Sequence, residues 1–297
     1  MSVPTYQPRK QARSVFVPIR NMHYHVREWG DPGAPLLFMA HGWMDVSASF
    51  QFVVDALQRD WHVVALDWRG FGLSASPGQD CFWMLDYQAD LDALLRHYSP
   101  DAPVDLVGHS MGGNVTTLYA GYRPERVRRL VNLEGIGMSG HQPEQGTARV
   151  AQWLDVMAAP ARLSTYASRN AVAARLCKTN PRLTAERAGY LALHWSRERD
   201  DGRFELLADA AHKIINPYLY RVDEVVATWS AITAPVLWVL AADSNLNERI
   251  AGMPDYDDRL AVIRHLQRAR VDDAGHMLHH DQPGQTAALI EGFCTPD

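Results

Sequence analysis

The sequence predicts an α/β chain built on a doubly wound, mostly parallel sheet, with a helical lid inserted into it. Three observations carry this expectation. Continuous apolar runs of strand length alternate with amphipathic stretches of helix length, joined by short polar loops. The alternation stops at about Met138 and resumes after Ile232, leaving a long segment of helical patches. One junction, Val104 to Tyr122, runs an apolar strand through Gly-His-Ser-Met-Gly-Gly straight into a helix.

The elements follow in order. "SVFVPI" (Ser14 to Ile19) and "HYHVREW" (His23 to Trp29) are short β-rich runs, and "GDPGAP" is a turn cluster. "LLFMAHG" (Leu36 to Gly42) is a buried parallel strand. Ser47 to Asp60 has helical periodicity, and "WHVVALDWRGFG" is another buried strand ending in a Gly-rich loop. Phe82 to Tyr98 is an amphipathic helix, with Leu85, Leu91, Leu94, Leu95 and Tyr98 expected on one face. The strand Val104 to Val107, a helix and the strand "VRRLVNLEG" come next. After the break, "PVLWVLAADS" is a strand, Asp258 to Arg268 a helix, "ARVDDAG" a short strand and Pro283 to Phe293 the last helix. This divides the chain into a sheet core, residues 1–137 and 233–297, and a lid, residues 138–232.

A chain of 297 residues is long enough to bury one large core, and 47% hydrophobic with 21% charged residues is ordinary for a globular protein. A net charge of −5 gives no general reason to expect nucleic acid or anionic membrane as a partner. The densest basic run, Arg123 to Arg129, reads as a solvated surface. Cys81, Cys177 and Cys294 are widely spaced with no CxxC, which points to a reducing compartment without structural disulfides. The first twenty residues lack an apolar signal region, and no run reaches the length of a membrane span. No export and no membrane insertion are therefore expected, and the cytoplasm is the default location.

Gly108-His109-Ser110-Met111-Gly112 matches G-x-S-x-G between a strand and a helix. So tight a turn strains its central residue and leaves no room for Cβ atoms two positions away. It also lifts the Ser110 hydroxyl clear at the carboxyl ends of the strands, where open α/β sheets bind ligands. A serine hydroxyl is a weak nucleophile and needs a base oriented by a third group. His276, in a loop after Gly275, is the candidate base, whereas His279 and His280 read as surface or packing residues. A metal reading of His276-x-x-His279-His280 lacks a carboxylate or cysteine at matching spacing, so no metal is expected. A tetrahedral intermediate needs two N–H donors, and the amides of Met111 and Trp43 are the candidates. Gly42 lets the backbone before Trp43 approach a substrate. "GFG" at 70–72 is no phosphate loop, so no nucleotide, flavin or other cofactor is implied.

"HGWMDVSASF", "LDWRGFGLS", "GHSMGGNVTTLYAGYRPERVRRLV" and "AGHMLHHDQP" together resemble the α/β-hydrolase superfamily, and within it the serine hydrolase-like branch. The resemblance covers nearly the whole chain, including "AHKIINPYLYRV" in the lid. It implies the α/β-hydrolase fold and the chain order Ser, acid, His. Two acids satisfy that order. Asp243 follows the strand "PVLWVL", near where most of the superfamily keeps its acid, but Ser244 stands where the aspartate would be. Glu134 ends the strand before the lid, where some branches place the acid. Glu134 is favoured, with Asp243 then bracing the histidine loop, and both stay open. The resemblance implies a carboxylesterase-like serine hydrolase, and the aromatics of the lid, among them Trp153, Tyr166, Tyr190, Trp195 and Trp229, point to a small ester with an apolar or aromatic acyl group if some of them face the sheet. A carbon–carbon bond hydrolase or a cofactor-free haloperoxidase would use the same residues, and a non-catalytic ligand-binding protein would keep only the fold.

Overall fold

The computed structural model describes residues 5–295 apart from 79 and 160; the first four residues of the N-terminal stretch lie outside the described residues. An eight-stranded sheet in the order β1-β2-β4-β3-β5-β6-β10-β11 forms the centre. Its strands are β1 (Arg13–Ile19), β2 (Met22–Trp29), β3 (Leu36–Ala40), β4 (His62–Leu66), β5 (Val104–His109), β6 (Val127–Leu133), β10 (Val236–Ala241) and β11 (Leu266–Val271). β1 and β2 form an antiparallel hairpin, and β2 meets β4 antiparallel. The pairings from β4 through β3, β5, β6 and β10 to β11 are parallel. The hairpin turns on Arg20 and Asn21, both at positive φ (46° and 61°), the pair of left-handed residues that a two-residue turn between twisted strands requires.

The central strands are apolar on both sides because helices cover both faces of the sheet. Phe38, Val64, Leu66 and Leu106 enter one core, against Leu91, Leu94 and Leu95 of α2 (Met84–Tyr98) and Val115 and Leu118 of α3 (Met111–Tyr122). Leu37, Met39, Val63 and Val107 enter the other, against Val53 and Val54 of α1 (Gln51–Ala56) and Ala287 and Ile290 of α11 (Pro283–Cys294). The period-two alternation of a strand thus sorts one continuous apolar run between two cores.

Several expectations shift. Leu85 is 70% exposed, and Tyr87, Gln88 and Asp90 join Leu91, Leu94 and Leu95 on the buried face of α2. Six residues along a helix is about 600° of turn, which leaves Leu85 about 120° from Leu91. Asp90 is tolerated inside because Arg69 Nε and Nη2 donate to it at 2.5 and 2.7 Å. Ser47 to Asp60 forms only one 3₁₀ turn and the short α1. The helix expected over Asp258 to Arg268 is α9 (Tyr256–Ala261), preceded by α8 (Leu246–Ala251), and Arg268 already lies in β11. β11 ends the sheet, so its arginines face solvent and mask the strand pattern.

The segment between β6 and β10 is not wholly helical. It holds α4 (Gly146–Met157), α5 (Arg169–Thr179), α6 (Ala185–Trp195) and α7 (Val222–Ser230), with β7 (Thr165–Tyr166), β8 (Ser196–Glu198) and β9 (Phe204–Leu206) in a small sheet of order β7-β9-β8. These strands are two or three residues long, too short to leave a periodic signal. α5 and α6 have their own core, in which Val172, Leu183 and Leu191 pack on Val46 and Phe52 of the sheet domain. α7 packs with the core helices instead: the added Cβ of an alanine at Gly121 of α3 would lie 2.1 Å from the Thr228 carbonyl oxygen, and Trp229 meets Trp238 at 5.5 Å between rings. No helix among the described residues is long and apolar enough to cross a membrane.

Candidate active site

β5 ends at His109 and α3 begins at Met111, so Ser110 alone makes the turn, at φ 53° and ψ −113°. A non-glycine residue in that region is strained, and the strain is held by close packing on either side. A Cβ at Gly108 would lie 2.4 Å from Thr116 Oγ1, and one at Gly112 would lie 2.3 Å from the Ala40 carbonyl oxygen. Both distances are below any tolerable contact, so only glycine lets α3 fold back onto β5 and β3. The Ser110 amide donates to the Leu133 carbonyl at 2.8 Å, tying the turn to the end of β6.

His276 reaches the serine from the loop between β11 and the short helix α10 (Leu278–Asp281). Its Nε2 lies 3.0 Å from Ser110 Oγ and its Nδ1 lies 3.1 Å from Glu134 Oε2. Because a carboxylate only accepts, Nδ1 carries the hydrogen, and Nε2 is left to accept from the serine hydroxyl. Glu134 is 1% exposed and has a left-handed backbone, φ 62°. Its Oε1 accepts the Ala241 amide at 2.6 Å, and its Oε2 accepts the Ser244 hydroxyl. These donors replace the hydration that a carboxylate loses on burial. Asn132 holds the turn beyond it, accepting the Gly135 amide at 2.7 Å and donating to Thr117 Oγ1 at 2.8 Å.

Of the two candidate acids, Glu134 is the one the fold brings to His276. The Asp243 carboxylate is half exposed and accepts from Arg182 at 2.8 Å. Asp243 meets the histidine loop through its backbone, donating its amide to the Ala274 carbonyl at 2.9 Å. Ser244 is the residue the sequence reading missed as a participant. The signal was there, since a serine stood at the position where an acid was expected.

The loop after β3 lies against the serine: a Cβ at Gly42 would be 3.2 Å from Ser110 Cβ. This brings the Trp43 amide next to the turn, and among the described residues neither it nor the Met111 amide is taken up by another acceptor. His41 fixes that loop. Its Nε2 accepts the Trp68 amide at 2.9 Å and its Nδ1–H donates to the Gly42 carbonyl at 2.7 Å, while Trp68 Nε1 donates to the His41 carbonyl at 2.9 Å. Burial, the largest cause, lowers the His41 pKa, so the ring stays in this neutral tautomer.

A cavity of about 660 Å³ opens onto His276 between the sheet domain and the inserted segment. Trp43, Tyr166, Leu176, Leu191 and Trp195 supply apolar wall. Of the aromatic residues in the segment, Tyr166 and Trp195 thus face the site, while Trp229 belongs to the core. His279 and His280 are fully or almost fully buried rather than on the surface.

A family model described as the alpha/beta hydrolase fold matches residues 35–283. The chain is 28% identical over 299 residues to a serine hydrolase-like protein of Danio rerio, covering 97% of this chain and 90% of that protein. A serine hydrolase-like protein of Homo sapiens is 29% identical over 114 residues, 38% of this chain and about half (55%) of that relative's length. Among solved structures, the thioesterase domain from the curacin biosynthetic pathway aligns with a TM-score of 0.83 at 23% identity, covering 94% of this chain and 99% of that one. An E-2-(acetamidomethylene)succinate hydrolase aligns at 0.75 and 25% identity, covering 95% and 99%. The serine at a strained strand-to-helix turn, the sheet order and these matches have one common meaning: the chain is a hydrolase of the α/β-hydrolase superfamily and belongs to its serine hydrolase-like branch.

Proposed function

We propose that the protein is a serine hydrolase of carboxylic esters that works through an acyl-enzyme. One observation carries the reading: the unbroken line from Ser110 Oγ to His276 Nε2 at 3.0 Å and from His276 Nδ1 to Glu134 Oε2 at 3.1 Å. In the proposed reaction Ser110 Oγ attacks the ester carbonyl carbon as its proton passes to His276 Nε2. Glu134 stabilises the imidazolium, and the Met111 and Trp43 amides bind the oxyanion. Collapse breaks the bond to the alkoxy oxygen, which takes the proton from His276 and leaves as the alcohol. Water then attacks the acyl-enzyme with His276 as base, releasing the acid and restoring Ser110.

Residues 138–232 are read as containing the lid, with α5 and α6 as its roof and α7 as part of the core. The apolar wall of Trp43, Tyr166, Leu176 and Trp195 favours an apolar or aromatic acyl group. The deciding experiment is turnover of p-nitrophenyl esters of graded length beside a ring-cleavage dienone, with a fluorophosphonate label to count reactive serines. Ester hydrolysis and one label per chain, both lost in Ser110→Ala, are expected. Dienone cleavage without ester turnover would replace the ester with a carbon–carbon bond, and wild-type activity in Ser110→Ala would end the serine mechanism.

A further inference from the structure

We propose that Asp45, His109 and His279 form a buried site for a divalent transition-metal ion of the zinc type, directly behind His276. Sequence spacing offers no reason for a metal, because no carboxylate or cysteine stands at ligand spacing from the histidine cluster. Folding supplies one from 234 residues away along the chain: Asp45 lies in the loop after β3, His109 at the end of β5 and His279 on α10. One ligand atom from each lies within 4.8 Å of the others, and all three residues are at most 2% exposed.

Each of the three offers a free electron pair. Asp45 Oδ1 accepts the Val46 amide at 2.7 Å and the Ser49 hydroxyl, but Oδ2 has no hydrogen-bond partner. His109 Nε2–H donates to the His276 carbonyl at 2.8 Å, so its Nδ1 is a lone pair, and that atom is buried without a partner. His279 has neither ring nitrogen bonded, and its Nε2 stands 3.7 Å from Asp45 Oδ2. That is too long for a hydrogen bond. It is close to the separation of about 3.3 Å that two ligands adopt around a tetrahedral ion with bonds of about 2.05 Å.

A buried anion needs a positive counterpart, and the ring nitrogen nearest Asp45 Oδ2 belongs to an imidazole. A dication meets the carboxylate and both lone pairs at once, and two imidazoles with one carboxylate suit zinc-like ions. The hydrogen bond from His109 to the His276 carbonyl is the kind of outer contact that fixes a ligating histidine's tautomer. The bound ion would join three chain segments beneath the loop that carries His276, independently of which bond the enzyme cleaves.

The test is metal content of the full chain produced in zinc-supplemented medium, desalted and measured by mass spectrometry. It is repeated after cobalt substitution for the visible spectrum of a tetrahedral site. Near one equivalent in wild type is expected, falling at least tenfold in Asp45→Asn and His279→Gln that keep the wild-type circular dichroism. The cobalt bands should vanish with it. Less than a tenth of an equivalent in wild type, as a buried water or a simple His279–Asp45 ion pair would give, overturns the proposal. Equal metal in wild type and folded variants overturns it too, as surface binding. Should neither variant fold, X-ray absorption of wild type decides: two imidazoles with oxygen ligands support the site, and any other set overturns it.

Discussion

The Ser244 hydroxyl donates to Oε2 of Glu134, the same oxygen that faces His276 Nδ1 at 3.1 Å. The serine occupies the place after β10 where an aspartate was sought, and it holds the carboxylate that comes instead from the end of β6. If Glu134 orients His276, Glu134→Gln should keep the fold and lower kcat about 10³- to 10⁴-fold by favouring the wrong tautomer. Ser244→Ala should cost about tenfold, because the Ala241 amide still anchors the other oxygen. Asp243→Asn should change kcat less than Ser244→Ala does. Steady-state kinetics on the three folded variants check the ranking, and a larger loss from Asp243→Asn than from Glu134→Gln would reverse the assignment.

Gly112 carries a purely steric demand. A methyl there would meet the Ala40 carbonyl oxygen at 2.3 Å, a backbone atom with no flexible side chain to yield. Gly112→Ala should therefore destabilise by about 3 kcal/mol or more. Denaturant melts would measure it. Gly284→Ala, where an added Cβ meets no atom within 4 Å beyond its own stretch of helix, should be within about 0.5 kcal/mol of wild type.

Acid should loosen the attachment of the inserted segment. His212 is stacked between Phe71 and Phe82 at 3.7 Å each, its Nε2 is 3.1 Å from the Arg69 carbonyl and its Nδ1 is 3.2 Å from Tyr87 Oη. His194 accepts from Arg27 through Nδ1 at 2.9 Å. Burial lowers both from 6.5 to about 4, so in the unfolded chain they bind protons that the folded chain refuses. Their stabilising contribution is complete above pH 6.5 and is lost as pH falls from 6.5 to about 4. Thermal melts across that range should show Tm falling with acid, and His212→Phe should flatten the slope. An equal slope in that variant would remove His212 from the account.

Proteolysis should find the inserted segment first. The end of β8 and the turn joining it to β9 are exposed from Arg197 to Arg203, with Gly202 at φ 74° and two backbone bonds, from the Arg199 amide to the Arg203 carbonyl at 2.8 Å and from the Gly202 amide to the Arg199 carbonyl at 2.9 Å. Limited trypsin treatment should cut at Arg199 or Arg203, leaving two fragments that stay associated. Primary cuts within β5 or β10, read by intact-mass analysis, would contradict this order of stability.

The sheet rhythm and the Ser110 turn were legible in the sequence because both are local. A strand buried on both faces is an apolar run whatever surrounds it. The glycines at 108 and 112 record a turn made by five consecutive residues. The short strands β7, β8 and β9 were not legible, since two or three residues carry no period. Nor was the exposure of Leu85, which depends on how α2 is rotated against the sheet.

What only the tertiary structure decided is which distant groups meet. Glu134 and Asp243 both precede His276 in the chain and both follow strands of the same sheet. Their order and composition could not separate them. The parallel neighbours β6 and β10 end side by side, so a carboxylate at the end of one reaches the amide of Ala241 and the hydroxyl of Ser244 at the end of the other. Asp45 and His279 come within 3.7 Å of each other from segments with no shared pattern, the loop after β3 and a helix after β11, strands that are not neighbours in the sheet. Sequence determines periodicity and local turns, because those are set by neighbouring residues. Pairing across the sheet is set by register and by the direction in which each strand ends, and these exist only once the chain has folded.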